Sequence, residues 1–155
     1  MTGAGKSTKA KQLVGNGVTH STDDVLEAMG DYREIFNKMI ASGNFSELSK
    51  AHGTNLTNAV ESMKSGVSPV VIDNTCLRVR ELSDYVKAAL ELGYADANIM
   101  VEDVDTNLTA EELTKRNTHG VPLDKIKKMI QTKKSVGTIT LEMVVKYISE
   151  LPNHL

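Results

Sequence analysis

The sequence predicts an α/β fold of three layers, α/β/α, with a parallel sheet between helices and a helical lid. Three observations carry that expectation. Short apolar strands alternate with amphipathic helices along the chain, the pattern of a parallel sheet covered on both faces. Pro69-Val70-Val71-Ile72-Asp73 is a continuous apolar run, as a strand buried on both sides requires. Gly3-Ala4-Gly5-Lys6-Ser7 leads straight into a helix, at the place where such folds hold ligands.

Each element follows from local chemistry. The first helix runs from about Gly5 to Val14 and stops at Gly15-Asn16-Gly17. Val18 to Ser21 is a short strand. Thr22 or Asp23 caps a helix from about Asp24 to Met29, and Asp31 to Ala41 is helical, with Ile35, Met39 and Ile40 on one face. Ser42-Gly43-Asn44 breaks it. A longer helix spans Ser46 to Lys64 and closes at Ser65-Gly66. After the Pro69–Asp73 strand, Leu77 to Leu92 is amphipathic through Leu82, Val86, Ala89 and Leu90. Asn98-Ile99-Met100-Val101 reads as a further strand. Thr109 caps a helix to Arg116, with Glu111 and Glu112 at its positive end. Pro122 opens a helix to Lys134, and Thr140 caps the last one, to Leu151.

Composition narrows the function classes. A chain of 155 residues suits one domain, residues 1–155. Charged residues make 25% and apolar ones 40%, which excludes disordered and collagen-like chains. The single Cys76 excludes an internal disulfide and fits a reducing cytoplasm. No apolar run approaches the roughly 18–20 residues of a spanning helix, so no membrane partner is expected. Net charge is -2, so no global basic field announces nucleic acid. The charge is nevertheless uneven: seven acids and no Lys or Arg lie between Glu91 and Glu112, then seven bases and one acid between Lys115 and Lys134. The second block is either a solvated helix face or a surface that meets phosphate. His20, His52, His119 and His154 show no metal-ligand spacing. Cys76 reads as pocket wall or core, and Met39, Met63, Met100 and Met143 as core fillers.

The segment Gly3-Ala4-Gly5-Lys6-Ser7-Thr8 matches the end of the phosphate-loop pattern G-x-x-x-x-G-K-[ST]. Glycines let backbone N–H groups turn inward, and the helix that follows adds its positive end. Lys6 is placed to reach the β and γ phosphates of ATP, and Ser7 to ligate Mg2+. The pattern's first glycine would stand one residue before Met1, and the strand that precedes such loops is not in the sequence. The expectation is a polypeptide that begins further upstream. The alternative is a complete chain whose sheet has closed around a degraded site.

Four segments, in order, resemble the polynucleotide 5′-hydroxyl kinase-like branch of the P-loop kinases, relatives of the zeta toxins. They are Gly3 to Thr8, Ser21-Thr22-Asp23-Asp24, Val71-Ile72-Asp73-Asn74-Thr75, and the string from Leu113 to Leu123 that contains Lys115-Arg116-Asn117-Thr118-His119-Gly120. Ala51-His52-Gly53-Thr54-Asn55 is similar to the family's A-H-x-x-N helix. The resemblance covers Gly3 to about Lys134 and leaves the last helix outside. It implies a catalytic set of Asp23, Lys6 and Arg116. Asp23 would take the proton of the acceptor hydroxyl, with helix capping as its structural alternative. Arg116 would close over the transferring phosphate, with a surface pair to Glu112 as its alternative. Gly3, Ala4, Gly5, Lys6, Ser7, Thr8 and Arg116 would bind the nucleotide, Ser7 and Asp73 the metal, and Asp23, Asn74 and Thr75 the acceptor. The resemblance also implies a helical lid over about residues 109–134, whose turn Asn117 and His119 would shape. The bacteriophage enzymes carry an arginine three residues after the base; here that position is Leu26. The expected reaction is transfer of the ATP γ-phosphate to a hydroxyl, foremost the 5′ end of DNA or RNA. A small-molecule or nucleoside kinase, and a nucleotide-binding module without turnover, are the alternatives.

Overall fold

The computed structural model describes residues 1–152. In chain order the elements are α1 (Lys6–Leu13), β1 (Val18–His20), α2 (Thr22–Met29), α3 (Tyr32–Ser42), α4 (Ser46–Lys64), β2 (Val70–Ile72), α5 (Val79–Glu91), α6 (Ala110–Arg116), α7 (Leu123–Val136) and α8 (Leu141–Glu150). Every helix expected from the sequence forms, with ends displaced by at most two residues.

β1 and β2 pair in parallel, with Val18 opposite Val70 and His20 opposite Ile72. The pairing is tight where it begins. A Cβ on Gly17 would lie 1.9 Å from the Pro69 carbonyl oxygen, so only glycine lets the two backbones meet there. The pairing continues one residue past the strands through the Asp73 N–H, which donates to the His20 carbonyl at 2.9 Å. That bond fixes the strand ends that carry Ser21 and Asp73. Helices α1 and α4 both pack on β2.

Two apolar cores stabilise the rest. Ala110, Leu113, Val121 and Ile126 bury against one another in the α6–α7 pair, with Met1 and Ala4 packed against them. The α6–α7 core therefore abuts the Gly3–Gly5 loop. Val86, Ile139 and Val144 bury between α5 and α8, joined by Ile99 and Val136. Thr140 caps α8, accepting from the Met143 N–H at 3.3 Å, and Thr109 with Glu112 forms a capping box on α6.

Three expectations need correction. Asn98–Val101 is not a strand: Asp96–Asn98 is a single 3-10 turn and the residues after it are extended without a ladder. The run is apolar enough, but the edge of β2 that it faces lies across a groove of about 400 Å³ lined by Leu13, Val71, Val86, Ile99 and Val101. Met100 is 67% exposed and Met143 is also exposed, so neither fills a core; Met39 does. The cap of α2 is Ser21, not Thr22 or Asp23: its side chain accepts from the Asp23 N–H at 3.2 Å.

Candidate functional site

The loop ahead of α1 has the backbone that the sequence requires. Gly3 has φ of 75° and Gly5 of 95°, both left-handed. A Cβ on Gly3 would come within 2.6 Å of the Leu113 carbonyl oxygen, so the loop is pressed against α6. A Cβ on Gly5 would meet nothing within 4 Å, which leaves space over the loop's N–H groups. Lys6 Nζ donates back to the Met1 carbonyl at 3.2 Å and closes the loop on itself.

Ser7 and Asp73 come together across a separation of 66 residues. Ser7 Oγ donates to Asp73 Oδ2 at 2.6 Å, joining the first turn of α1 to the end of β2. A hydroxyl and a carboxylate side by side are hard oxygen donors, and Mg2+ takes one or two such protein ligands beside phosphate oxygens and water. The residues present fit that ion. Among the described residues no cluster of three His, Cys, Asp or Glu side chains is placed to hold a metal ion.

Asp23 is free of the capping role. Because Ser21 caps α2, the Asp23 carboxylate projects instead toward α3 and the lid turn. Tyr32 Oη donates to Asp23 Oδ1 at 3.1 Å, and His119 Nε2 lies 3.6 Å from Asp23 Oδ2. Burial raises the Tyr32 phenol pKa, and the Asp23 carboxylate beside it raises it further, so the proton stays on the tyrosine. His119 also reaches Glu27, with Nδ1 3.5 Å from Oε1, and its ring lies 4.6 Å from that of Tyr32.

Arg116 is exposed at the C-terminal end of α6, one turn beyond Leu113 and three residues before His119. Leu113 touches the loop and His119 touches Asp23, so the stretch bearing Arg116 runs from one to the other. The alternative pair to Glu112 is not made: that carboxylate accepts from the Thr109 N–H at 2.8 Å, and the same bond lowers its pKa. Asn117 and His119 do shape the turn. Asn117 Nδ2 donates to the Val121 carbonyl at 2.9 Å, and the His119 N–H donates to Asn117 Oδ1 at 3.0 Å.

A model of the AAA domain matches residues 1–135. The chain belongs to the AAA domain family. Its α/β architecture is that of a P-loop nucleotide-binding domain, and α8 lies beyond the matched residues. The chain is also similar to human NEDD4-binding protein 2, 32% identical over an alignment of 134 residues, and the match covers 83% of this chain and 7% of that protein. The chain thus spans a small fraction of that relative's length. No solved structure matches.

A buried polar network positions the strand ends of this AAA domain. The Thr22 N–H donates to Asn74 Oδ1 at 2.9 Å, and Asn74 Nδ2 donates to Tyr85 Oη at 3.1 Å. Asn55, 1% exposed, donates to the same phenol at 2.9 Å, and His52 Nδ1 lies 3.1 Å from Thr22 Oγ1. The A-H-x-x-N helix therefore acts through His52, which ties α4 to the start of α2, and through Asn55, which ties it to α5. Asn74 is occupied at both ends of its amide. Neither Tyr85 nor Tyr32 was marked by any motif; a lone tyrosine on an amphipathic helix carries no signal until its partners are known.

The basic block between Lys115 and Lys134 is partly neutralised. Lys133 forms an ion pair with Asp103, and Lys127 lies 3.7 Å from Glu111. Cys76 lines the groove, and burial, reinforced by Glu81, pushes its thiol up to about 12, so it is no nucleophile. His20 pairs with Ser62 at 2.8 Å, and His154 lies outside the described residues. Among the described residues no helix is long and apolar enough to cross a membrane.

Proposed function

We propose that the domain is a kinase that transfers the γ-phosphate of ATP to a hydroxyl, with the 5′-OH of DNA or RNA as acceptor. The observation that carries the reading is the Ser7–Asp73 contact between the first turn of α1 and the end of β2, beside a glycine loop that suits phosphate; Asp23, relieved of capping and met by His119 from the turn after α6, supports it. Gly3, Ala4, Gly5 and Thr8 present the loop and first turn to the phosphates, and Lys6 swings from the Met1 carbonyl to them. Ser7 and Asp73 would hold Mg2+, which would supply positive charge against the phosphate oxygens. Asp23 accepts the acceptor's proton as its oxygen bonds to the γ-phosphorus and the bond from that phosphorus to the ADP oxygen breaks. Arg116 meets the equatorial oxygens with a planar fork that suits them better than an ammonium. Thr75 lines the acceptor side, and Asn74 holds Thr22 and hence Asp23.

The test is transfer of labelled γ-phosphate to 5′-hydroxyl oligonucleotides. Asp23→Asn and Arg116→Ala each lower kcat by about 100-fold or more if they act as a base and a charge stabiliser. Transfer that survives both substitutions unchanged refutes the assignment. One observation favours a small-molecule acceptor as the second reading: Leu26, where a phosphate-gripping arginine would be needed, is buried. Acceptor binding that weakens steeply with salt selects nucleic acid, and salt-insensitive binding selects the small molecule.

A further inference from the structure

We propose that His119 is a positioning residue that ties the lid turn to the proton-accepting Asp23, with Glu27 and Tyr32 as its seat. The inference rests on the kinase reading above and adds a residue that its chemistry does not require.

Two elements address the two oxygens of Asp23. From α3, Tyr32 Oη donates to Oδ1 at 3.1 Å; from the lid turn, His119 Nε2 stands 3.6 Å from Oδ2. The ring's other nitrogen stands 3.5 Å from Glu27 Oε1, one turn along α2 from Asp23. Tyr32 lies against the imidazole at 4.6 Å with a 40° tilt, and Phe36 stacks on Tyr32 from the next turn at 5.9 Å. The ring is thus held on its edges by two carboxylates and on its face by an aromatic. Gly120, with φ of 72°, lets the chain turn sharply after it, and the Arg33 side chain passes 3.5 Å from where a Cβ would stand. Asp23 and Glu27 from α2, and Tyr32 and Arg33 from α3, are the titratable and charged groups around this turn; Lys115 and Arg116 precede it on its own element.

The chemistry of the ring explains why histidine suits the place. A neutral imidazole has one N–H and serves one carboxylate, facing the other with a lone pair. An imidazolium has two and serves both. Histidine is also the side chain whose charge changes between about pH 5 and 8. The tie is therefore strongest with the ring charged and Asp23 ionised. When Asp23 takes the acceptor's proton it ceases to attract the ring, and the lid turn is held by Glu27 alone. Chemistry at the base thereby loosens the lid for product release.

The experiment has two readouts on the full chain. The first is the NMR titration of the His119 ring, without ATP, in the wild-type protein, Glu27→Gln and Asp23→Asn. The expected result is a titration midpoint that moves to lower pH in each variant. An identical midpoint in all three overturns the bridge. The second is the pH profile of kcat and KM. His119→Gln is expected to lower kcat about tenfold, to leave the KM for ATP within twofold, and to remove one inflection from the profile; misplacing a reacting group by about 1 Å costs on that order or more. A profile and kcat equal to wild type, with Asp23→Asn inactive, overturns the positioning role alone. If Asp23→Asn retains full transfer, the base assignment itself fails, while the titration still decides the bridge.

Discussion

Leu26 lies three residues after Asp23 on α2 and is 1% exposed, so its side chain faces the interior rather than the acceptor. An arginine cannot simply be restored there. Leu26→Arg buries a charge without a partner, which costs several kcal/mol. Its expected outcome is a loss of urea stability with no gain in affinity for oligonucleotide 5′ ends, measured by denaturation and by binding. His20 supplies a second test at this scale. Burial lowers its pKa below the ordinary value of 6.5, so the unfolded chain binds the proton more readily than the folded one. The stabilising contribution is therefore complete above about pH 6.5 and is lost as pH falls through the folded value. Replacing it by His20→Gln is expected to narrow the difference between urea midpoints at pH 7.5 and pH 5.5. An unchanged difference rules His20 out as a source of acid lability. Legibility also differs residue by residue. Ser7 and Asp73 were readable because local pattern, a loop before a helix and an acid after an apolar strand, fixes both ends of their contact. The partners of Asp23 were not, because Tyr32 and His119 reach it through tertiary packing that no spacing encodes.

Elements that depend on their own caps and faces were legible; those that need a distant neighbour were not. Thr109 and Thr140 cap the helices that the sequence assigns to them, because an N-cap needs only a short polar side chain and the next turn. Asn98–Val101 has strand composition, but a strand exists only by its ladder, and the nearest sheet edge is across the groove. The same dependence makes Gly17 the most sensitive turn position of the sheet. With a Cβ 1.9 Å from the Pro69 oxygen, Gly17→Ala forces β1 away from β2. The expected cost is at least the roughly 1–3 kcal/mol of an overpacked core. The measurement is a thermal or urea midpoint beside Gly53→Ala, whose added Cβ meets nothing within 4 Å. Equal midpoints for the two variants contradict the close approach. Disturbing β1 also displaces Ser21, and with it Asp23, so kcat in Gly17→Ala is expected to fall along with stability.

At the scale of the whole molecule, the phosphate loop is where separate parts meet. Met1 and Ala4 pack on the lid core, Gly3 abuts the Leu113 carbonyl, and Ser7 reaches the end of β2. A ligand seated on the loop therefore joins the lid to the sheet, and its binding free energy appears as stability of the entire fold. Any ligand that binds only the folded state stabilises it by about 2.7 kcal/mol at a hundred times its Kd. For a chain of this size that corresponds to a rise of roughly 5–10 °C in Tm. ATP with Mg2+ is expected to raise Tm by that amount, and ATP with EDTA by clearly less, because the Ser7 hydroxyl and Asp73 carboxylate then lack the ion proposed for them. Ser7→Ala and Asp73→Asn should erase the difference that Mg2+ makes while leaving the response to ATP alone. Lys6→Ala should remove the response to ATP itself. The two kinds of loss separate a shared metal site from a general anion effect at the start of α1: inorganic phosphate that matches ATP and Mg2+ degree for degree would reduce the loop to an anion-binding turn. A Mg2+ increment carried by Ser7 and Asp73 would instead mean that the sheet end and the first helix close on one nucleotide.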